Sequence, residues 1–216
     1  MYLAMPDTVR RLPLDRPDLA VREYAAIVAE LRHEVTGAAD LEALATEAVE
    51  TARAAGATLM AVVLPPDAPP ALLTGTLLAL PPSGDVRSFD VDSLGDSVED
   101  LGGPDIRETI MLATGLGPAL VVQRVPGPEQ VRDRRPLTLQ LQAFIPEPET
   151  GLMLLLTLAC PAFDGWVSHQ LLFGALVASA AARPAAEAPP RPAARTGDNS
   201  GTNSVDDSFE EHTYQL

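Results

Sequence analysis

The 216 residues carry a formal charge of −15, and all 15 basic residues are arginine. Without lysine, Schiff-base catalysis, a lysine general base and a phosphate-binding P-loop are excluded. The acidic balance also opposes binding to nucleic acid or to anionic membrane surfaces, since both rest on Arg and Lys set against phosphate.

Hydrophobic residues make up 46% of the chain, enough for a self-sufficient core in a domain of about 160 residues. A single Cys160 has no partner for an internal disulfide, so an oxidising compartment is not required. The opening residues lack a signal peptide's apolar core, and no run of about 18 apolar residues occurs. A cytoplasmic protein without membrane insertion is therefore expected. The arginine-only basic set points to a GC-rich coding bias and a high-GC bacterial source.

Residues 1–17, rich in Pro and Arg, read as an N-terminal arm. Pro17 and Asp18 then open a helix that stacks Tyr24, Ile27, Val28, Leu31 and Val35 on one face. Asp40 is the expected N-cap of a second helix with a narrow, mostly Ala stripe, and Gly56 its left-handed stop. From Ala57 the apolar period shortens to that of strands. Strands are expected over 57–64, 71–80, 105–113, 119–125, 137–145 and 152–159, with a short helix over 93–101. The Pro-rich stretch 65–70 and residues 146–149 are expected to turn the chain. The last helix, 163–182, has so wide an apolar arc that heavy burial is expected. Residues 184–216, dominated by Pro, Ala, Gly, Ser, Asn and Asp, hold too little apolar area to offset ordering entropy and read as a disordered tail.

Short turns between consecutive strands imply antiparallel pairing, and helices at both ends of the chain imply a covered sheet. The fold class is thus α+β: an antiparallel sheet of five to seven strands under N-terminal helices and one C-terminal helix, forming a single domain over 18–183.

Candidate chemistry is sparse. Asp90, Asp92 and Gly95 sit at calcium-loop spacing, but Leu94 and Leu101 occupy positions that need oxygen ligands. Ser168 and His169 are neighbours on a helix and point about 100° apart, so they cannot serve each other as nucleophile and base. His33, His169 and His212 have no partner at metal-ligand spacing and are expected at the surface or half-buried. Cys160 reads as a packed thiol, and Gly115-Leu116-Gly117 as a hairpin turn rather than a dinucleotide loop. No catalytic, cofactor or metal residue is assigned. Arg132, Arg134 and Arg135 form the one cationic cluster and are candidate docking contacts for an acidic partner or for the chain's own tail. Tyr214 and Leu216 are candidate partner contacts in the tail.

The hairpin Glu108–Arg124, the strands near 137–146 and 151–160, and the corner Pro161-Ala-Phe-Asp-Gly-Trp166 leading into an aromatic helix resemble actinobacterial proteins of the PsbP-like superfamily. The resemblance covers about residues 20–183 and is a pattern of elements. It implies an α/β/α sandwich with an antiparallel sheet and a protein whose role is to bind other proteins, with no cofactor. Two other functions stay open at this stage. One is a carrier with an apolar cavity beneath the last helix. The other is an enzyme in which His33, His169, Asp90 and Asp164 converge only in three dimensions.

Overall fold

The computed structural model describes residues 1–32, 38–79, 105–127, 138–147, 149–182 and 211–215. The chain opens with two short strands, β1 (Tyr2–Pro6) and β2 (Val9–Arg11). Helices α1 (Pro17–Arg32) and α2 (Ala38–Ala54) follow. Next come β3 (Ala57–Val63), β4 (Ala71–Ala79), β5 (Asp105–Thr114), β6 (Gly117–Val125), β7 (Leu139–Glu147) and β8 (Leu152–Cys160). The helix α3 (Trp166–Ala178) and a final strand β9 (Glu211–Gln215) complete the described elements.

Seven strands form one antiparallel sheet in the order β2-β3-β4-β8-β7-β6-β5. The α+β architecture expected from the sequence is therefore present. Because side chains alternate along a strand, each ladder sorts its residues onto two faces. On the first face Ala61, Leu73, Leu158 and Leu141 line up across β3, β4, β8 and β7, through the pairs Ala61↔Leu73, Leu73↔Leu158 and Leu141↔Leu158. This face packs with Phe173, Leu176 and Val177 of α3 and with Leu3 and Met5 of β1 in the largest core cluster. On the second face Met60 and Val62 pack with Ala20 and Ile27 of α1 and Val49 and Ala52 of α2. Helices thus lie on opposite faces of the sheet.

The local reasons are ordinary. Pro17 fits the first turn of α1, where its missing N–H is not needed, and Asp18 faces the positive end of the helix dipole. Helix α2 begins at Ala38, so Asp40 stands in its first turn rather than at its cap, and Arg53 lies in its last turn. Gly56 takes φ +73° directly after α2, the left-handed stop expected there. The β5–β6 hairpin closes through Thr114, whose hydroxyl donates to the Gly117 carbonyl at 2.7 Å and accepts from the Leu116 amide at 3.0 Å. Pro146 was expected in a turn but sits within β7, opposite Met153 and beyond the last pair with β6 at Phe144. Its lack of an N–H therefore falls where that ladder has already ended.

Both chain ends depart from the sequence expectation. The residues read as an arm contribute β1 and β2 and bury Leu3, Met5, Val9 and Leu12. Their apolar residues alternate too briefly to register as strands against the surrounding Pro and Arg. The tail read as disordered includes β9, which pairs with β1 antiparallel from Tyr2↔Gln215 to Pro6↔Glu211. A five-residue strand gains its stability from its partner's edge, which composition does not encode. Residues 183–210 and the short helix expected over 93–101 lie outside the described residues. No helix among the described residues is long and apolar enough to cross a membrane.

Candidate functional site

The part of the molecule that stands out chemically is α3 and its anchorages. The helix contains no charged residue. Its N-terminus is set by Gly165, at φ +69°, a conformation that L side chains rarely adopt. A Cβ there would collide with the Ala68 methyl and sit 2.6 Å from the Ala68 Cα, so the Pro-rich loop 65–70 lies directly against the helix start. Two side chains tie the helix to that loop. The Ser168 hydroxyl donates to Asp67 Oδ2 at 2.8 Å, and His169 Nε2 donates to the Pro69 carbonyl at 2.9 Å.

The C-terminal end is held as firmly. Ser179 Oγ donates to the Leu176 carbonyl at 2.7 Å and accepts from the Ala4 amide at 3.0 Å. The Ala180 carbonyl accepts from the Gly115 amide of the β5–β6 hairpin at 2.8 Å, and Ala181 exchanges both backbone bonds with Tyr2. The carbonyls of Ala175, Leu176 and Val177, which a helix end leaves orphaned, accept from Ser179 and Ala180, and the residues just past the helix bond to two other elements. On the side facing the sheet, Gln170 Nε2 donates to Gln123 Oε1 at 3.1 Å.

Held at both ends, α3 buries one stripe, His169, Phe173, Leu176 and Val177, at the spacing of a helical face. The opposite stripe is apolar as well. Val167 is 65% exposed and Leu171 71%, one helical turn apart, and Phe163, in the turn before the helix, is 66% exposed. The heavy burial expected of this helix therefore holds for its inner stripe, with Trp166 and Leu172 partly buried against the same core, and not for this outer side. Beside Leu171 and Leu172 runs a cleft of about 390 Å³, walled by Pro6, Thr8, Pro65 and Pro66. Singly exposed apolar residues need no explanation; here Val167 and Leu171 lie one turn apart, with Leu171 at the edge of that cleft.

The residues singled out in the sequence fare differently. Cys160 is fully buried at the end of β8, and burial pushes its thiol up to about 12, which suits a packed thiol rather than a nucleophile. His169 was expected at the surface or half-buried, yet it is 0% exposed. Its hydrogen bond goes to Pro69 and not to Asp164, which is exposed, and its Nδ1 has no partner. Ser168 and His169 engage separate acceptors, Asp67 and Pro69, as their angular separation requires. Tyr214 lies in β9 opposite Leu3. Arg132, Arg134, Arg135, Leu216, His33, Asp90, Asp92 and Asp96 lie outside the described residues. Among the described residues no cluster of three His, Cys, Asp or Glu could hold a metal ion.

Two buried polar groups went unnoticed in the sequence. Besides His169, Arg124 is 3% exposed and donates through Nε to Gln142 Oε1 at 2.8 Å. Glu147, at the end of β7, accepts from the Thr150 hydroxyl at 2.7 Å and faces the Met1 ammonium at 3.3 Å. Strand alternation could have flagged Arg124, since it shares a sheet face with Leu120 and Val122. Nothing in the local pattern around Glu147 singles it out.

Two cavities bear on ligand binding. The space beneath α3, between Phe173 and the sheet residues Ile110, Val121 and Leu141, amounts to about 70 Å³. A larger cleft of about 510 Å³ opens between the α1–α2 pair and β4, lined by Tyr24, Val28, Leu41, Ala48 and Leu72. Comparison of the chain with protein-family models, with characterised proteins and with solved structures returns no match.

Proposed function

We propose that this is a non-catalytic protein-binding or accessory protein that engages a protein partner through the outer face of α3. The observation that carries this reading is the exposed pair Val167 and Leu171 on a charge-free helix whose two ends are pinned, with Phe163 exposed in the turn just before it. A pre-positioned apolar surface loses little conformational entropy on binding, and the adjacent cleft offers a recess for a partner's anchoring side chain. The PsbP-like likeness belongs to the same proposal, and a sheet covered by helices on both faces supports it. So does the chain's acidity, which disfavours nucleic acid as the partner. A cytoplasmic setting is likewise proposed.

A photo-crosslinking amino acid placed at position 171 tests this in the native cell, with Glu50 on the exposed side of α2 as the control position. A discrete protein adduct at 171, absent at 50 and lost when Val167 is changed to Glu, is expected. Equal or absent adducts at the two positions would sink the reading.

One observation favours a second reading, a carrier of small apolar molecules. The cleft of about 510 Å³ beneath α1 and α2 falls in the usual size range of ligand pockets. The space of about 70 Å³ beneath α3 does not, so any such ligand belongs on the other side of the sheet from the one expected. Native mass spectrometry of the purified protein would reveal a co-purifying molecule, and none retained would remove this alternative.

A further inference from the structure

The seven-stranded sheet ends in two strands that pair on one side only, β2 and β5, and the two are built differently. β2 has three residues, lies between Pro6 and Pro13, and includes Arg10 and Arg11. Brevity, proline and charge are the usual means of keeping an edge from pairing with another chain. β5 has ten residues and no proline, and its register with β6 shifts between Ile106 and Glu108. Beyond that shift, Thr109-Ile-Met-Leu-Ala-Thr114 pairs with β6 without interruption and carries no charge. Ile110 and Met111, neighbours that point to opposite faces of the sheet, are 45% and 44% exposed. Apolar side chains are therefore open to solvent on both sides of this edge.

The hairpin fixes which backbone groups the edge presents. Pro118 of β6 stands opposite Ala113 and has no N–H, so this pair exchanges no ladder bonds. Bonded and unbonded pairs alternate in an antiparallel ladder, which makes Ile110↔Val121 and Leu112↔Ala119 the bonded ones. The N–H and C=O groups of Thr109, Met111 and Ala113 point outward, where no strand among the described residues pairs with them. A second copy of β5 fits that pattern. Turned antiparallel about a two-fold axis at Met111, it sets Met111 against Met111, Ile110 against Leu112 and Thr109 against Ala113 of the other copy. Outward groups then meet outward groups, apolar residues meet apolar ones, and no charge faces a like charge. An axis at Ile110 would instead set Leu112 against Glu108.

We propose that the outer edge of β5 is a self-association surface, at which two copies of the chain pair β5 with β5 around Met111 and join their sheets into one. Such an interface is isologous, so it closes as a dimer and leaves β5 no open edge. The ladder from Thr109 to Ala113 is about 17 Å long. It covers well under the roughly 1,200 Å² at which stable interfaces begin, so association belongs in the micromolar range. The net charge of −15 on each copy opposes their approach, and added salt should tighten the dimer. The surface is separate from the outer face of α3 and does not depend on the reading given to that face.

Sedimentation velocity of the full-length chain from about 1 to about 500 μM should show a monomer–dimer equilibrium. Met111→Lys and Met111→Glu each set like charges face to face across the axis and should weaken the dimer about tenfold or more. Mixing the two variants should restore it, because the introduced charges are then opposite. Val167→Glu, on the outer face of α3, should leave the equilibrium unchanged. Amide hydrogen exchange at Thr109, Met111 and Ala113 should slow as the unaltered chain is concentrated, while Ile110 and Leu112, already bonded to β6, stay as they were. A chain that remains monomeric over the whole range would overturn the proposal. So would a dimer insensitive to both Met111 variants, a mixture no stronger than either variant alone, or loss of the dimer in Val167→Glu. Should a Met111 variant unfold, the exchange pattern of the unaltered chain decides, and slowing that spares Thr109, Met111 and Ala113 would count against this edge.

Discussion

Gly165 shows how one position fixes the placement of an element. Its φ of +69° and the closeness of Ala68 are separate constraints, one on the backbone and one on the space around it. Gly165→Ala meets both, and the Ala68 backbone cannot yield as a flexible side chain would. A loss of at least about 3 kcal/mol is expected from strain and overpacking together, read as a shifted urea midpoint; a loss below about 1 kcal/mol would show that the loop moves freely. Cys160 makes a second prediction at this scale. Burial raises its folded-state thiol to about 12 from 9.0. Below about pH 9 folded and unfolded thiols are both protonated and contribute no pH dependence. Between about 9 and 12 the unfolded state holds fewer protons than the folded one, so stability falls as pH rises, by at most about 1.4 kcal/mol per unit. Urea titrations at pH 8, 9.5 and 10.5 should show that decline, flattened in Cys160→Ala, and a variant with the full slope would refute the assignment. Tyr24, also raised by burial, acts in the same direction and leaves a residual slope. The packed character of Cys160 could be read from its place after an apolar run. That of His169 could not, because a histidine amid apolar helix residues carries no sign of which stripe faces inward.

At the scale of elements, most strands were visible from alternation and from the Pro and Gly that bound them. Their ends shifted by at most two residues, as with β6, which starts at Gly117, and β7, which extends through Glu147. The orientation of α3 was hidden for a physical reason: amphipathic reasoning needs a polar face for contrast, and α3 has apolar residues all round. Substitution separates the two stripes. Phe173→Ala deletes a ring from the core beneath α3 and should cost about 3 to 5 kcal/mol. Leu171→Glu, on the outer stripe, should change stability by no more than about 0.5 kcal/mol while abolishing the contact proposed for that face. Thermal unfolding of the two variants side by side decides the matter, and a comparable loss in both would mean that the outer stripe is covered within the chain.

Over the whole molecule, the sheet with helices on both faces was legible because short turns force antiparallel pairing and long apolar runs demand cover. The strand order was not, since the insertion of β8 between β4 and β7 depends on which edges meet after collapse. The roles of the two termini escaped notice because a pairing such as Leu3↔Tyr214 joins segments at opposite ends of the chain and leaves no local trace. Charge is the other property of the whole molecule. With a net −15 compressed into one fold, self-repulsion works against the compact state. Side-chain ion pairs such as Arg10–Glu30 at 3.1 Å and Arg16–Asp15 at 3.8 Å join exposed partners and contribute little. The buried Met1 ammonium–Glu147 pair at 3.3 Å is little reached by salt. Screening should therefore relieve more repulsion than it removes attraction. The Debye length shrinks from about 30 Å at 0.01 M salt to about 8 Å at 0.15 M, which cuts off repulsion across the molecule while leaving contacts at 3 to 4 Å mostly intact. The melting temperature is expected to rise by a few degrees over that range in sodium chloride, equivalent to about 1 kcal/mol. Calorimetry at constant pH measures it directly, and a melting temperature that falls with added salt would mean that attractive pairs outweigh the repulsion of the net charge.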